Sequence, residues 1–172
     1  MVEDSLKRMD SAGLSPLFLE VQYFRSNKVI YFAYLALLVA VLAIFFEIQK
    51  LKERVIKPYP LFIVLFFVFF ILLLILSIKL KIEVNLFELN FSIFPFFIRP
   101  KRYKFSEIEK AEEITYHPLR DFGGWGIRYG KGMWAYTAFG NRGVLILLKN
   151  GKRFLLGSQK PEELARSINK PI

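Results

Sequence analysis

The chain has 172 residues, 54% of them hydrophobic and 17% aromatic, with 19 Phe; soluble domains typically hold roughly 45–50% apolar residues, so a disordered chain is excluded and an ordinary soluble enzyme disfavoured. Its 25 Lys and Arg against 15 Asp and Glu leave a net charge of +10, which points to anionic partners such as phospholipid head groups or nucleic acid. With no Cys and a single His, His117, disulfide scaffolds, thiol nucleophiles and thiolate or multi-histidine metal sites are excluded, and no metal or cofactor is expected.

Residues 1–28 read as an N-terminal cytoplasmic or interfacial segment. It is polar at Glu3, Asp4, Lys7, Arg8 and Asp10, then amphipathic from Leu17 to Arg25. A short helix there would place Leu17, Val21 and Phe24 on one face; a solvated extension is the alternative. Residues 29–46 carry no charge and as a helix would cover about 27 Å at ~1.5 Å per residue. Residues 61–78, LFIVLFFVFFILLLILSI, show neither alternation nor a polar stripe. Both are expected to be transmembrane helices, joined through a short basic loop at 47–60 that holds Lys50, Lys52, Arg54 and Lys57. No small-residue cleavage site follows the first run, so a cleavable signal peptide is not expected.

Loop cations and flanking cations balance, and the positive-inside rule gives no orientation. The missing cysteines and the basic C-terminal domain favour a multi-pass protein of the cell membrane with both termini and that domain in the cytoplasm.

From Lys79 onward the chain holds 17 of its basic residues against 9 acidic ones. Ile78, Leu80, Ile82 and Val84 alternate with Lys79, Lys81, Glu83 and Asn85, the period of a half-buried strand. A second strand is expected over 86–93 and a third within 96–105. Ser106 can cap one helical turn through Glu109, and 111–116 returns to strand. Glycine turns then separate short strands in GGWGIRYGKG and MWAYTAFGNRG. Asn150-Gly151 predicts a type I′ hairpin turn within VLILLKNGKRFLLGS. Ser158 to Pro161 predicts a helix start, with Glu162 and Glu163 in the first turn. The fold class expected is therefore a membrane protein: a two-helix transmembrane hairpin followed, over 79–172, by a small β-barrel or sandwich closed by a C-terminal helix.

That order of elements, with Tyr103 to Ile108 before the middle strands and a Pro161-Glu162-Glu163-Leu164 helix at the end, resembles the prokaryotic pleckstrin-homology-like domains attached to membrane hairpins. The stretches from Tyr116-His117-Pro118 to Ile127-Arg128, Ala135-Tyr136, Gly140 to Val144, Gly157-Ser158-Gln159 and Glu20-x-Gln22-x-Phe24-Arg25 resemble the signature of an uncharacterised family of small two-span membrane proteins. The resemblance implies the architecture and a cytoplasmic domain, and brings no catalytic residues with it.

The GGWGIRYGKG segment is the expected functional surface, because binding residues collect in loop-rich stretches. Gly123, Gly124 and Gly126 would shape its backbone, Trp125 would make contact, and Arg120, Arg128 and Lys131 would take anions. Lys101, Arg102 and Lys104, next to Arg99, form a second cluster. Gly123, Gly124, Gly126, Gly130 and Gly132 with Lys131 invite a phosphate-loop reading, but strand-like residues follow where a helix is needed, so turns between strands fit better. Trp134 and Tyr136 share a face at period two and read as core. His117 and Asp121, four apart, offer an acid–base pair without a nucleophile motif; a histidine fixing the turn at Pro118 is the plainer reading.

The function expected is a membrane-anchored, non-enzymatic module that binds anionic lipid head groups or a protein partner at the membrane surface. A structural subunit of a membrane complex, through a protein partner or a homo-oligomer, is the alternative, and a membrane enzyme using His117 and Asp121 a weaker one. Nucleic acid is disfavoured, since the aromatics show no spacing for a base-stacking platform.

Overall fold

The computed structural model describes residues 16–26, 28–50, 59–97 and 99–169. Strand β1 (Phe18–Tyr23) leads through a 3-10 turn (Phe24–Ser26) into helices α1 (Lys28–Lys50) and α2 (Tyr59–Ser77). Strands β2 (Lys79–Val84), β3 (Glu88–Phe94), β4 (Lys101–Lys104) and β5 (Ile108–Thr115) follow, then a short helix α3 (Pro118–Phe122). Strands β6 (Gly126–Gly130), β7 (Met133–Thr137), β8 (Arg142–Leu148) and β9 (Arg153–Gly157) and the helix α4 (Pro161–Asn169) complete the chain.

The strands make two sheets. One has the order β1-β2-β3-β4, antiparallel throughout; the other has the order β5-β8-β9-β7-β6, in which only β7 and β9 run parallel. Alternation decides which face is covered: Leu80, Ile82 and Val84 of β2 and Leu89, Phe91 and Ile93 of β3 point inward and are buried, while Lys79 and Lys81 point out. Each such side chain contributes roughly 1.5–3 kcal/mol on leaving water. Between the sheets they meet Tyr136, Val144, Ile146, Phe154 and Leu156, and α4 seals the space with Leu164 and Ile168. A smaller core lies on the other face of the second sheet, where Phe122 of α3 and Tyr116, just before it, cover Met133, Ala135 and Leu155.

Residues 18–23 form an extended strand where a short amphipathic helix was expected. Its register with β2 is unbroken from Phe18 opposite Val84 to Tyr23 opposite Lys79. Inward-facing Gln22 donates from Nε2 to the Gly157 carbonyl at 2.8 Å. The Glu20 carboxylate accepts the Ser158 hydroxyl at 2.5 Å and the Gln159 N–H at 2.8 Å. The sheet of the C-terminal domain thus takes its first strand from before the helices. Gln22→Ala should lower thermal stability by about 1–3 kcal/mol, because the truncation removes a buried donor to a buried carbonyl; a melting curve that superimposes on the wild type would show that this clamp carries no stability.

Among the described residues no helix is long and apolar enough to cross a membrane. On that finding the transmembrane hairpin expected at 29–46 and 61–78 is corrected, and so are the multi-pass localisation and the orientation built on it. The fold class becomes two packed sheets with helices α1 to α4. Leu38, Val39, Leu42, Phe66, Phe67 and Phe70 nevertheless stand exposed on α1 and α2. Lys52, Arg54 and Lys57 of the expected loop lie outside the described residues.

The β8–β9 hairpin forms where expected with a different turn. Gly151 has φ +78, whereas Asn150 keeps negative φ. The Gly151 N–H bonds the Leu148 carbonyl at 2.9 Å and the Leu148 N–H bonds the Lys152 carbonyl at 2.8 Å. That is a type I turn followed by one left-handed glycine, and the Asn150 side chain accepts the Lys152 N–H at 3.0 Å.

Candidate functional site

Helix α3 begins with Pro118, whose missing N–H would have been unpaired there in any case. It ends at Gly123, which has φ +70 and donates its N–H to the Leu119 carbonyl at 3.0 Å, while the Gly124 N–H reaches Pro118 at 2.9 Å. Within this single turn the buried Asp121 carboxylate accepts three donors. Its Oδ2 takes the backbone N–H of His117 at 2.9 Å; its Oδ1 takes Arg120 Nε at 3.1 Å and Lys131 Nζ at 2.9 Å. The His117 N–H, Lys131 and Arg120 hold this carboxyl well below the usual carboxylate range.

Two of the expected anion-binding cations, Arg120 and Lys131, are therefore committed to a carboxylate of their own chain. His117 meets Asp121 through its backbone, so the expected imidazole–carboxylate pair is replaced by a turn-closing bond. Arg128 is exposed and donates Nε to the Trp125 carbonyl at 3.2 Å. Trp125 is half-buried and gives its indole N–H to the Gly140 carbonyl at 2.7 Å, tying this loop to the one after β7. Gly124 and Gly126 hold φ +127 and +106, which only glycine adopts with ease. Strand β6 follows these glycines, in line with turns between strands. Gly130 is small for another reason: a Cβ there would sit 2.3 Å from the Asp121 carbonyl oxygen. The segment is held together by internal bonds, and Arg128 is exposed with its Nε given to a backbone carbonyl of the same loop.

The second expected cluster divides by strand alternation. Arg102 and Lys104 are exposed on the outer face of β4, whereas Lys101 turns inward, donating to the Tyr136 hydroxyl at 2.6 Å and lying 4.7 Å above the Phe97 ring. Arg142 bridges Glu113 and Glu162. Tyr136 is core, as expected, but Trp134 is exposed and meets Tyr129 edge-on at 5.4 Å.

A third group was not singled out from the sequence. Where α1 and α2 join the sheet, the Phe24 N–H bonds the Ile78 carbonyl at 3.0 Å. Beside this junction Arg25 lies 4.7 Å above the Tyr23 ring and Lys79 5.8 Å from the Phe94 ring. Phe94 and Phe96 are both exposed, and among the described residues neither cation has an acidic partner. The sequence signal was the bracketing of both apolar runs by an aromatic and a cation, visible only once β1, β2 and β3 stand side by side.

Comparison with family models, with curated proteins and with solved structures found no match. The resemblance to two-span membrane proteins with a pleckstrin-homology-like domain is corrected accordingly: no family model matches the chain, and among the described residues no helix qualifies as a membrane span. Among the described residues no group of three or more His, Asp or Glu is placed to hold a metal ion.

Proposed function

We propose that this protein is a non-enzymatic binding module for anionic lipid head groups. The observation that carries the reading is the junction of α1 and α2 with the first sheet. There two cations without acidic partners among the described residues, Arg25 and Lys79, lie on exposed aromatic rings at the foot of helices that present apolar side chains outward. Aromatic rings with a cation beside them suit the boundary between head groups and acyl chains, and the many exposed apolar side chains of α1 and α2 beside them favour an interaction site there. Each cation near an anionic lipid surface contributes about 1 kcal/mol. Flotation of the full chain with neutral and with phosphatidylglycerol-containing vesicles tests this. Arg25→Gln with Lys79→Gln should weaken the preference for anionic vesicles by about thirtyfold at low salt, and raising salt should erase the difference. Equal flotation with both vesicle types at low salt would overturn the proposal.

A further inference from the structure

We propose that β1 is a self-pairing edge, by which two copies of this chain join their four-stranded sheets across a two-fold axis at Val21. β1 ends its sheet, and among the described residues its backbone bonds to no strand but β2. Among the described residues one side of its backbone therefore has N–H and C=O groups with no strand partner, which an antiparallel strand satisfies. Edge strands are ordinarily protected by proline, lysine, a bulge or an inward charge. β1 has no proline, no lysine and no bulge, and its one acid, Glu20, is bound to Ser158 and Gln159. The clamp by Glu20 and Gln22 holds the strand extended, so the edge needs no ordering before a partner arrives.

The outward side chains select the occupant. Leu19, Val21 and Tyr23 are 54%, 43% and 40% exposed. They stand on a sheet face shared with Lys79, Lys81 and Glu83 of β2 and with Asn90, Ser92 and the exposed Phe94 of β3. Residues directly opposite in an antiparallel pair point to the same face, so a two-fold axis must pass through a residue paired with its own copy or lie between residues of like orientation. Among such registers, the one centred on Val21 sets Val21 against Val21 and Leu19 against Tyr23 twice, covering all three apolar positions. A second copy supplies the matching chemistry by symmetry, an isologous contact that closes. A six-residue strand pair buries less than the ~1,200 Å² of a standard stable interface, so the dimer should be weak and dependent on concentration.

The chain has no cysteine, which makes the register readable. Full-length single-cysteine variants, purified in mild detergent, are oxidised over a concentration series. The Cα separations of opposed antiparallel residues, about 4.5–5.5 Å, lie within the range a disulfide bridges. Val21→Cys should form a disulfide dimer alone. Leu19→Cys and Tyr23→Cys should each stay monomeric alone and join when mixed. Val21→Lys, an exposed site that leaves the melting temperature near that of the wild type, should abolish self-association measured by light scattering. Equal cross-linking at all three positions, dimers only from a control cysteine at Phe87, or Val21→Lys associating as the wild type does would each overturn the proposal. Vesicle preference depends on Arg25 and Lys79, so its loss with intact cross-linking would refute the lipid reading alone.

Discussion

Asp121→Ala should melt far below the wild type and release the segment from His117 to Lys131, with fast amide exchange at Gly123, Gly124 and Gly130 as the readout. The carboxylate joins three chain positions at once, closing the α3 turn through the His117 N–H and bracing the β6–β7 hairpin through Lys131. Neighbouring packing depends on it, because β6 approaches α3 at Gly130 with no room for a Cβ. Asp121→Asn should fall between the two, since an amide oxygen can still accept the His117 N–H but no longer balances two cations. The pH dependence has a definite sign. The carboxyl is held below its ordinary value in the folded state, so its contribution is complete above the ordinary carboxylate range, near ~pH 4, and is lost as pH falls below it. The stability gap between wild type and Asp121→Asn should therefore be flat above about pH 5 and shrink in acid. A gap that widens on acidification would remove Asp121 from this role.

What could be read from the chain beforehand follows the range of the interactions involved. The alternation of Leu80, Ile82 and Val84 and the acids opening α4 are local patterns, and both elements form where the pattern places them. β1 was misread because its partner, β2, lies beyond both apolar runs: FLEVQY alternates like a strand, yet a strand without a partner is indistinguishable from an amphipathic turn. The same limit explains Trp134 and Tyr136, whose shared face was correctly paired. Tyr136 lies under Phe91 of the opposing sheet, while Trp134 stands exposed with its ring against Tyr129 of its own hairpin. The parallel pairing of β7 with β9 has no local signal at all. At the site, Gly123, Gly124 and Gly126 were legible as positions that shape the backbone, and all three hold positive φ. The commitment of Arg120 and Lys131 to Asp121 was not, because it depends on a hairpin folding back over a helical turn.

Phe91→Ala should cause the largest loss of stability in the sandwich, about 3–5 kcal/mol, the cost of deleting a fully buried aromatic side chain. The ring is 1% exposed and stands where both sheets converge, 4.9 Å from the ring of Tyr136, 5.6 Å from Phe154 and 6.2 Å from Tyr103. Aromatic pairs in such geometry add roughly 0.5–1.5 kcal/mol beyond the area they bury, and domains hold only about 5–15 kcal/mol in all. A chain of this size loses roughly 2–4 °C per kcal/mol, so the melting temperature should fall by about 6–20 °C. Phe91→Leu, which keeps most of the volume, should cost well under half as much. Phe87→Ala, at an exposed position on the β2–β3 connection, should change little. The loss has a functional consequence, because β3 carries Phe94 and pairs with Lys79 at the junction, so a sandwich loosened at Phe91 should also lose its preference for anionic vesicles as the melting point is approached. A Phe91→Ala variant that melts with the wild type would show that the two sheets are not held through this ring.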